Sequence, residues 1–134
     1  MTKLSEIEGI GETYSSKLVS AGISSVEGLL ENCAAKPARK SLAEKSGISE
    51  KRILNWVNRA DLARISGVST QYADLLESAG VDTVPELAQR NAENLQEKMA
   101  RCNEETHLVR KVPSLSQVQS WVAQAKELPR KITH

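Results

Sequence analysis

A chain of 134 residues that is 40% hydrophobic is long enough to bury a core and too apolar to stay unfolded. Its 18 basic and 17 acidic side chains nearly cancel, so a formal net charge of +1 gives no global pull toward nucleic acid or an anionic membrane. A nucleic-acid partner must therefore be held by a local patch or by backbone groups. No apolar run approaches the ~20 residues of a membrane span, and MTKLSEIEG at the N-terminus lacks a secretory apolar segment. Cys33 and Cys102 stand in no CxxC or Cys/His spacing, as expected of reduced thiols in the cytoplasm.

Leu4 and Ile7 share one face of a short opening helix that Gly9 and Gly11 end. Tyr14, Leu18 and Ala21 then recur at helical spacing, and Gly22 stands where a left-handed cap closes a helix. A third helix starts at Ser24 or Ser25, with Glu27 spaced from Ser24 for a capping box. Pro37 opens a fourth, which carries Leu42 and ends at Gly47. Ser49 caps a fifth, whose Ile53, Trp56, Val57 and Ala60 form an i, i+3, i+4, i+7 stripe. The connection from Asn58 to Arg64 lacks the Gly, Pro or Ser of a flexible linker and reads as continued helix or a helical corner.

From Ile65 the chain repeats itself. Ile7 to Leu30 aligns with Ile65 to Ala88 at a constant offset of 58 residues, without a gap. Ile7, Gly9, Tyr14, Leu18, Ser20, Ala21, Gly22, Val26 and Leu29 recur identically as Ile65, Gly67, Tyr72, Leu76, Ser78, Ala79, Gly80, Val84 and Leu87. The stripe Ile53, Trp56, Val57, Ala60 recurs as Val118, Trp121, Val122, Ala125 at an offset of 65, so the second copy carries about seven extra residues, placed between Cys102 and Pro113. With two Tyr, two Trp and no Phe, every aromatic falls into a matched pair, Tyr14 with Tyr72 and Trp56 with Trp121.

In the second copy Thr83 and Glu86 have capping-box spacing, and Asn91 caps a helix through Leu95 and Met99. Ser114 or Ser116 starts the last helix, which Pro129 stops, leaving 130–134 as a frayed tail. No segment alternates with the period of a strand. The pattern predicts an all-α fold of two tandem repeats of about five short helices each, 3–61 and 62–129, packed as one domain with pseudo-twofold symmetry.

Ile7-Glu8-Gly9-Ile10-Gly11, with Leu18 and Gly22 following, resembles the helix-hairpin-helix motif of DNA-binding and DNA-repair proteins. The resemblance implies glycines that allow positive φ and close backbone approach, a middle apolar residue turned inward, and amides facing out at a helix start. Such a start favours an anion such as a DNA phosphate. Two such hairpins would sit on the two strands across a minor groove, binding duplex DNA without sequence preference and in a salt-sensitive way. The residues this assigns are Gly9, Ile10, Gly11, Thr13 and Lys17 in the first copy and Gly67, Val68 and Ser69 in the second. Lys36, Arg39 and Lys40 add a basic stretch on the fourth helix, continued by Lys45, Lys51 and Arg52; Arg110 and Lys111 form a smaller one in the extra segment, 103–112.

The copies depart from the motif in different ways. Ser69 replaces the second glycine, Leu75 stands opposite Lys17, and Arg64 precedes the second hairpin. In the first, Glu8 and Glu12 occupy positions where phosphate binders carry Lys or Arg. The runs 61–68, 75–84, 86–91 and 113–121 are also similar to a bacterial family of uncharacterised proteins, a domain of unknown function built from this duplicated unit. That family implies no particular activity.

Nothing in the residues points to an enzyme. Asp61, Asp74 and Asp82 lack the context of a helix-hairpin-helix glycosylase, and there is no Gly-x-Ser-x-Gly elbow. Cys102 and His107 are badly spaced for a helical metal pair, and His134 is remote. We expect a non-enzymatic protein without metal or cofactor. Its partner is either the DNA backbone or, given the neutral charge and acidic first hairpin, another protein for which it serves as an interaction or scaffold module. Trp56 and Trp121 read as core residues, with Tyr14 and Tyr72 anchoring the hairpins.

Overall fold

A computed structural model describes residues 3–7 and 9–132, with the side chain of Thr70 left aside. All regular structure among these residues is helical. A 3-10 turn at Leu4–Glu6 is followed by α1 (Glu12–Ser20), α2 (Val26–Cys33), α3 (Lys36–Ser46), α4 (Glu50–Leu62), α5 (Thr70–Ser78), α6 (Val84–Ala88), α7 (Ala92–Thr106) and α8 (Leu115–Glu127). The chain divides into two compact units, one up to Asp61 together with the segment from Lys131, the other from Leu62 to Arg130.

Local chemistry sets most boundaries. Ser25, Ser69, Asn91 and Ser114 each accept a hydrogen bond from the backbone N–H three residues on, filling a donor that the first helical turn leaves open. At Ser114 the bond is reciprocal, since Gln117 accepts from the Ser114 N–H at 2.8 Å. The boxes predicted at Ser24–Glu27 and Thr83–Glu86 do not form. Ser25 is the cap of α2, and Glu86 reaches the N–H of Asp82 at 2.8 Å while the Thr83 side chain makes no capping bond. At the ends of α1 and α5, Gly22 and Gly80 take positive φ. Ile23 N–H donates to Leu18 at 2.8 Å and Val81 N–H to Leu76 at 2.9 Å, the six-to-one bond of a Schellman motif.

In the first unit α1 and α2 pack on α3. Its core is built on Leu18, Leu29, Ile53, Trp56 and Val57. Ile132 joins this core at 3% exposure, so the tail expected to fray instead places an apolar side chain inside. In the second unit α8 packs on α6 and α7, and α5 on α7, around Leu75, Leu76, Leu87, Leu95, Met99 and Trp121. Each fully buried aliphatic side chain stabilises by roughly 1.5–3 kcal/mol.

This second unit has four α-helices where five were expected. Because α4 runs on to Leu62, the residues before Gly67 form successive turns, with Ile65 N–H to Leu62 and Val68 N–H to Ile65 both at 3.1 Å. The extra segment is also partly regular, since α7 extends through Thr106 and only the stretch beyond it is loop.

Candidate functional site

The first glycine turn is built from the inside out. Ile7 and Ile10 are buried, and Ile10 N–H donates to the Ile7 carbonyl at 3.1 Å. Between them Gly9 takes φ +92°, and a Cβ there would stand 3.6 Å from the Trp56 indole nitrogen. Of the two demands the motif makes of a glycine, a positive φ and a close approach, Gly9 meets the first, since a Cβ at 3.6 Å would make only ordinary van der Waals contact. Gly11 meets neither. Its φ of −88° and ψ of −174° suit any residue, and a Cβ there would meet nothing within 4 Å. Gly11 caps α1 without a side chain, so the donors of the first turn have no capping acceptor. Thr13, in that turn, is exposed.

Two cations lie against the ring of Tyr14, a residue of this first turn. The Tyr14 ring stands edge-on to Trp56 with centroids 5.3 Å apart. The Arg52 guanidinium lies 4.9 Å from the Tyr14 centroid and the Lys17 ammonium 5.8 Å. Gly9, Trp56, Tyr14 and the two cations thus form one continuous chain of contacts. Arg52 was grouped by sequence with the basic stretch of α3. Its position four residues before Trp56 is the signal that ties it to the hairpin instead, because i and i+4 share a helix face.

The second turn keeps the frame and loses these cations. Gly67 has φ +95°, Val68 is buried, and Tyr72 lies 5.4 Å from Trp121. Ser69, at φ −78° and ψ 171°, holds nearly the backbone of Gly11 and accepts from Tyr72 N–H at 3.2 Å. Leu75, opposite Lys17, is fully buried, and Gln117 stands opposite Arg52. Gln124 clamps the turn from α8, accepting from Ser66 N–H at 2.9 Å and donating back to its carbonyl at 3.2 Å. Arg64 donates to the Pro129 carbonyl at 2.9 Å.

A family model matches residues 8–128, a span that includes both glycine turns and both Tyr–Trp pairs. The chain belongs to the family described as domain of unknown function (DUF4332). No curated protein and no solved structure matches it.

In this DUF4332 chain the basic stretch of α3 is not the patch its spacing suggests. Lys36 and Lys40 are exposed, but Arg39 is 4% exposed and donates to the carbonyls of Cys33 at 3.1 Å and Ala34 at 2.8 Å. It thereby satisfies acceptors at the end of α2 and does not face solvent. Burial pulls its pKa down, partly offset by Cys33 and Glu50. Burial likewise pushes the Cys33 thiol up, against the pull of Arg39. Among the described residues no group of three His, Cys, Asp or Glu side chains is placed to hold a metal, and no helix is long and apolar enough to cross a membrane.

Proposed function

We propose that this chain is a non-enzymatic protein of two tandem helix-hairpin-helix repeats, and that it holds the phosphate backbone of duplex DNA without sequence preference. The observation that carries this reading is the grouping at the first turn. An N-terminus with no side-chain cap opens beside Tyr14, and Lys17 and Arg52 stand over the same ring. Amide donors and cations converging at a helix start are what a phosphate diester requires. Lys36 and Lys40 lie on a separate helix and add general attraction only. The matching frames of the two turns support the tandem reading: both first glycines have positive φ, and each meets a Trp that also packs on a Tyr.

Fluorescence anisotropy with a random duplex of ~20 base pairs at ~50 mM salt tests the proposal, with micromolar, salt-sensitive binding expected. Gly11→Glu is the sharpest variant, because the backbone there accepts any residue and the added carboxylate would sit at the helix start. It should fold and lose binding, as should Lys17→Glu with Arg52→Glu. Absence of binding by the wild-type protein would overturn the reading and favour the protein-interaction alternative.

A further inference from the structure

The extra segment of the second unit forms the wall of a groove. Helix α7 ends at His107 in the left-handed region, φ 50° and ψ 39°, with its N–H bonded to Asn103 at 2.8 Å. The buried Asn103 amide then holds the returning chain from both sides, donating to the Val109 carbonyl at 2.9 Å and accepting from its N–H at 3.0 Å. Tyr72 donates its hydroxyl to the Lys111 carbonyl at 3.2 Å, and Gln96 donates to Pro113 at 3.1 Å. A loop fixed at these points presents its exposed side chains in a set place.

Between this loop and the first turn of α5 lies an open groove of about 800 Å³, lined among others by Ser69, Gln71, Tyr72, His107, Arg110 and Lys111. Its volume falls in the range of sites that hold small ligand-sized groups. Arg110 and Lys111 are exposed, and neither Glu104 nor Glu105 of the preceding helical turn is among the lining residues. The first turn of α5 holds no acidic residue, whereas that of α1 holds Glu12. The second turn therefore lacks the cations that flank Tyr14, but the loop places two others beside the matching Tyr72.

We propose that this groove is a phosphate-binding site for a nucleic-acid strand, in which Arg110 and Lys111 replace the role of Lys17 and Arg52 at the first turn. Arg110 offers a planar fork suited to phosphate oxygens and Lys111 a mobile point charge. Because the Ser69 hydroxyl already takes the Tyr72 amide at the start of α5, the two loop cations carry the site. The inference rests on the DNA-backbone reading for the identity of its ligand, but the anion site itself is testable apart from it.

Two measurements keep the questions distinct. The first follows backbone amide resonances of the full chain as inorganic pyrophosphate is added. Saturable shifts at Gln71, Arg110 and Lys111, lost in Arg110→Ala/Lys111→Ala, are expected. Both side chains are exposed and the Tyr72 bond is to backbone, so this variant should keep its fold, which unperturbed core resonances of the second unit, such as those of Leu76, Leu87 and Trp121, would verify. No shift at these amides, or shifts confined to the first turn, would overturn the groove. The second measures duplex affinity against salt, where the double variant should reduce the slope of log K against log salt by about two. An unchanged slope with intact wild-type binding would overturn the groove and spare the DNA reading. Amide shifts with pyrophosphate but no duplex binding would uphold the anion site and overturn that reading.

Discussion

Trp121 lies so close to Gly67 that a methyl group on that α-carbon would stand 3.1 Å from the indole nitrogen, against 3.6 Å for Trp56 and Gly9. Both glycines have nearly the same φ, +95° and +92°, so replacing either by alanine incurs similar backbone strain of about 1–3 kcal/mol. Only at Gly67 must the neighbouring ring also give way. Gly67→Ala should therefore destabilise its unit more than Gly9→Ala destabilises the other. Urea unfolding followed by resolved backbone amide resonances of each unit reads the two losses separately. Equal losses, or a larger one at Gly9, would contradict this account of the second turn.

Arg39 is held by geometry that its neighbours on α3 lack. Its two hydrogen bonds run from a cation to buried or partly buried carbonyls, a class worth about 1.5–3 kcal/mol apiece when the partner is not left stranded. Arg39→Ala should destabilise the protein by at least about 2 kcal/mol, while Lys36→Ala and Lys40→Ala stay within roughly 0.5 kcal/mol of wild type. Thermal or urea melts of the three variants would decide it. A silent Arg39→Ala would return that side chain to the solvated face.

The all-helical class and most helix boundaries were legible because they depend on local chemistry: apolar spacing, capping side chains and glycines at helix ends. The capping boxes were less so, since Ser24 and Ser25 are equivalent in sequence and only the path of the chain into α2 picks Ser25. Arg39 and Arg52 exchanged roles for a tertiary reason. In sequence both belong to one basic run, but Arg39 points back to the end of α2 and Arg52 across to Tyr14. Ile132 was missed because an isolated apolar residue after Pro129 carries no periodicity from which burial is read. The groove beside Tyr72 was signalled by the length mismatch between copies and by the basic pair Arg110 and Lys111 in the extra segment. An insertion announces a loop but not what the loop leans on.

Gly11 and Ser69 share a backbone conformation and differ only in the cap, which makes their exchange informative. Gly11→Ser should stabilise the first unit by a few tenths of a kcal/mol, and Ser69→Gly should cost the second a similar amount. Gly11→Ser should also weaken duplex binding, because its hydroxyl would take the Tyr14 amide that the wild-type turn leaves open. Melting curves and anisotropy on the same samples test both halves. Destabilisation by Gly11→Ser would mean that the turn needs its second glycine after all.

The Cys33 thiol supplies a pH dependence with a definite sign. Burial raises its pKa in the folded protein above the ordinary thiol value of 9.0, and the Arg39 charge opposes but does not reverse this. Below 9.0 the thiol is protonated whether the chain is folded or not, and its contribution to stability is fully present. As pH rises past 9.0 the unfolded chain loses this proton while the folded one keeps it, so stability falls until the folded thiol also ionises. The slope from this one group is at most about 1.4 kcal/mol per pH unit. The test is a difference between two proteins that share every other ionisable group. Stability of wild type and Cys33→Ser, both under reducing conditions, should run parallel from pH 7 to 8.5 and converge or cross between pH 9 and 10. The serine variant carries a constant penalty for its buried hydroxyl and lacks the slope. Curves that stay parallel through pH 10 would show that the thiol ionises as easily in the fold as outside it.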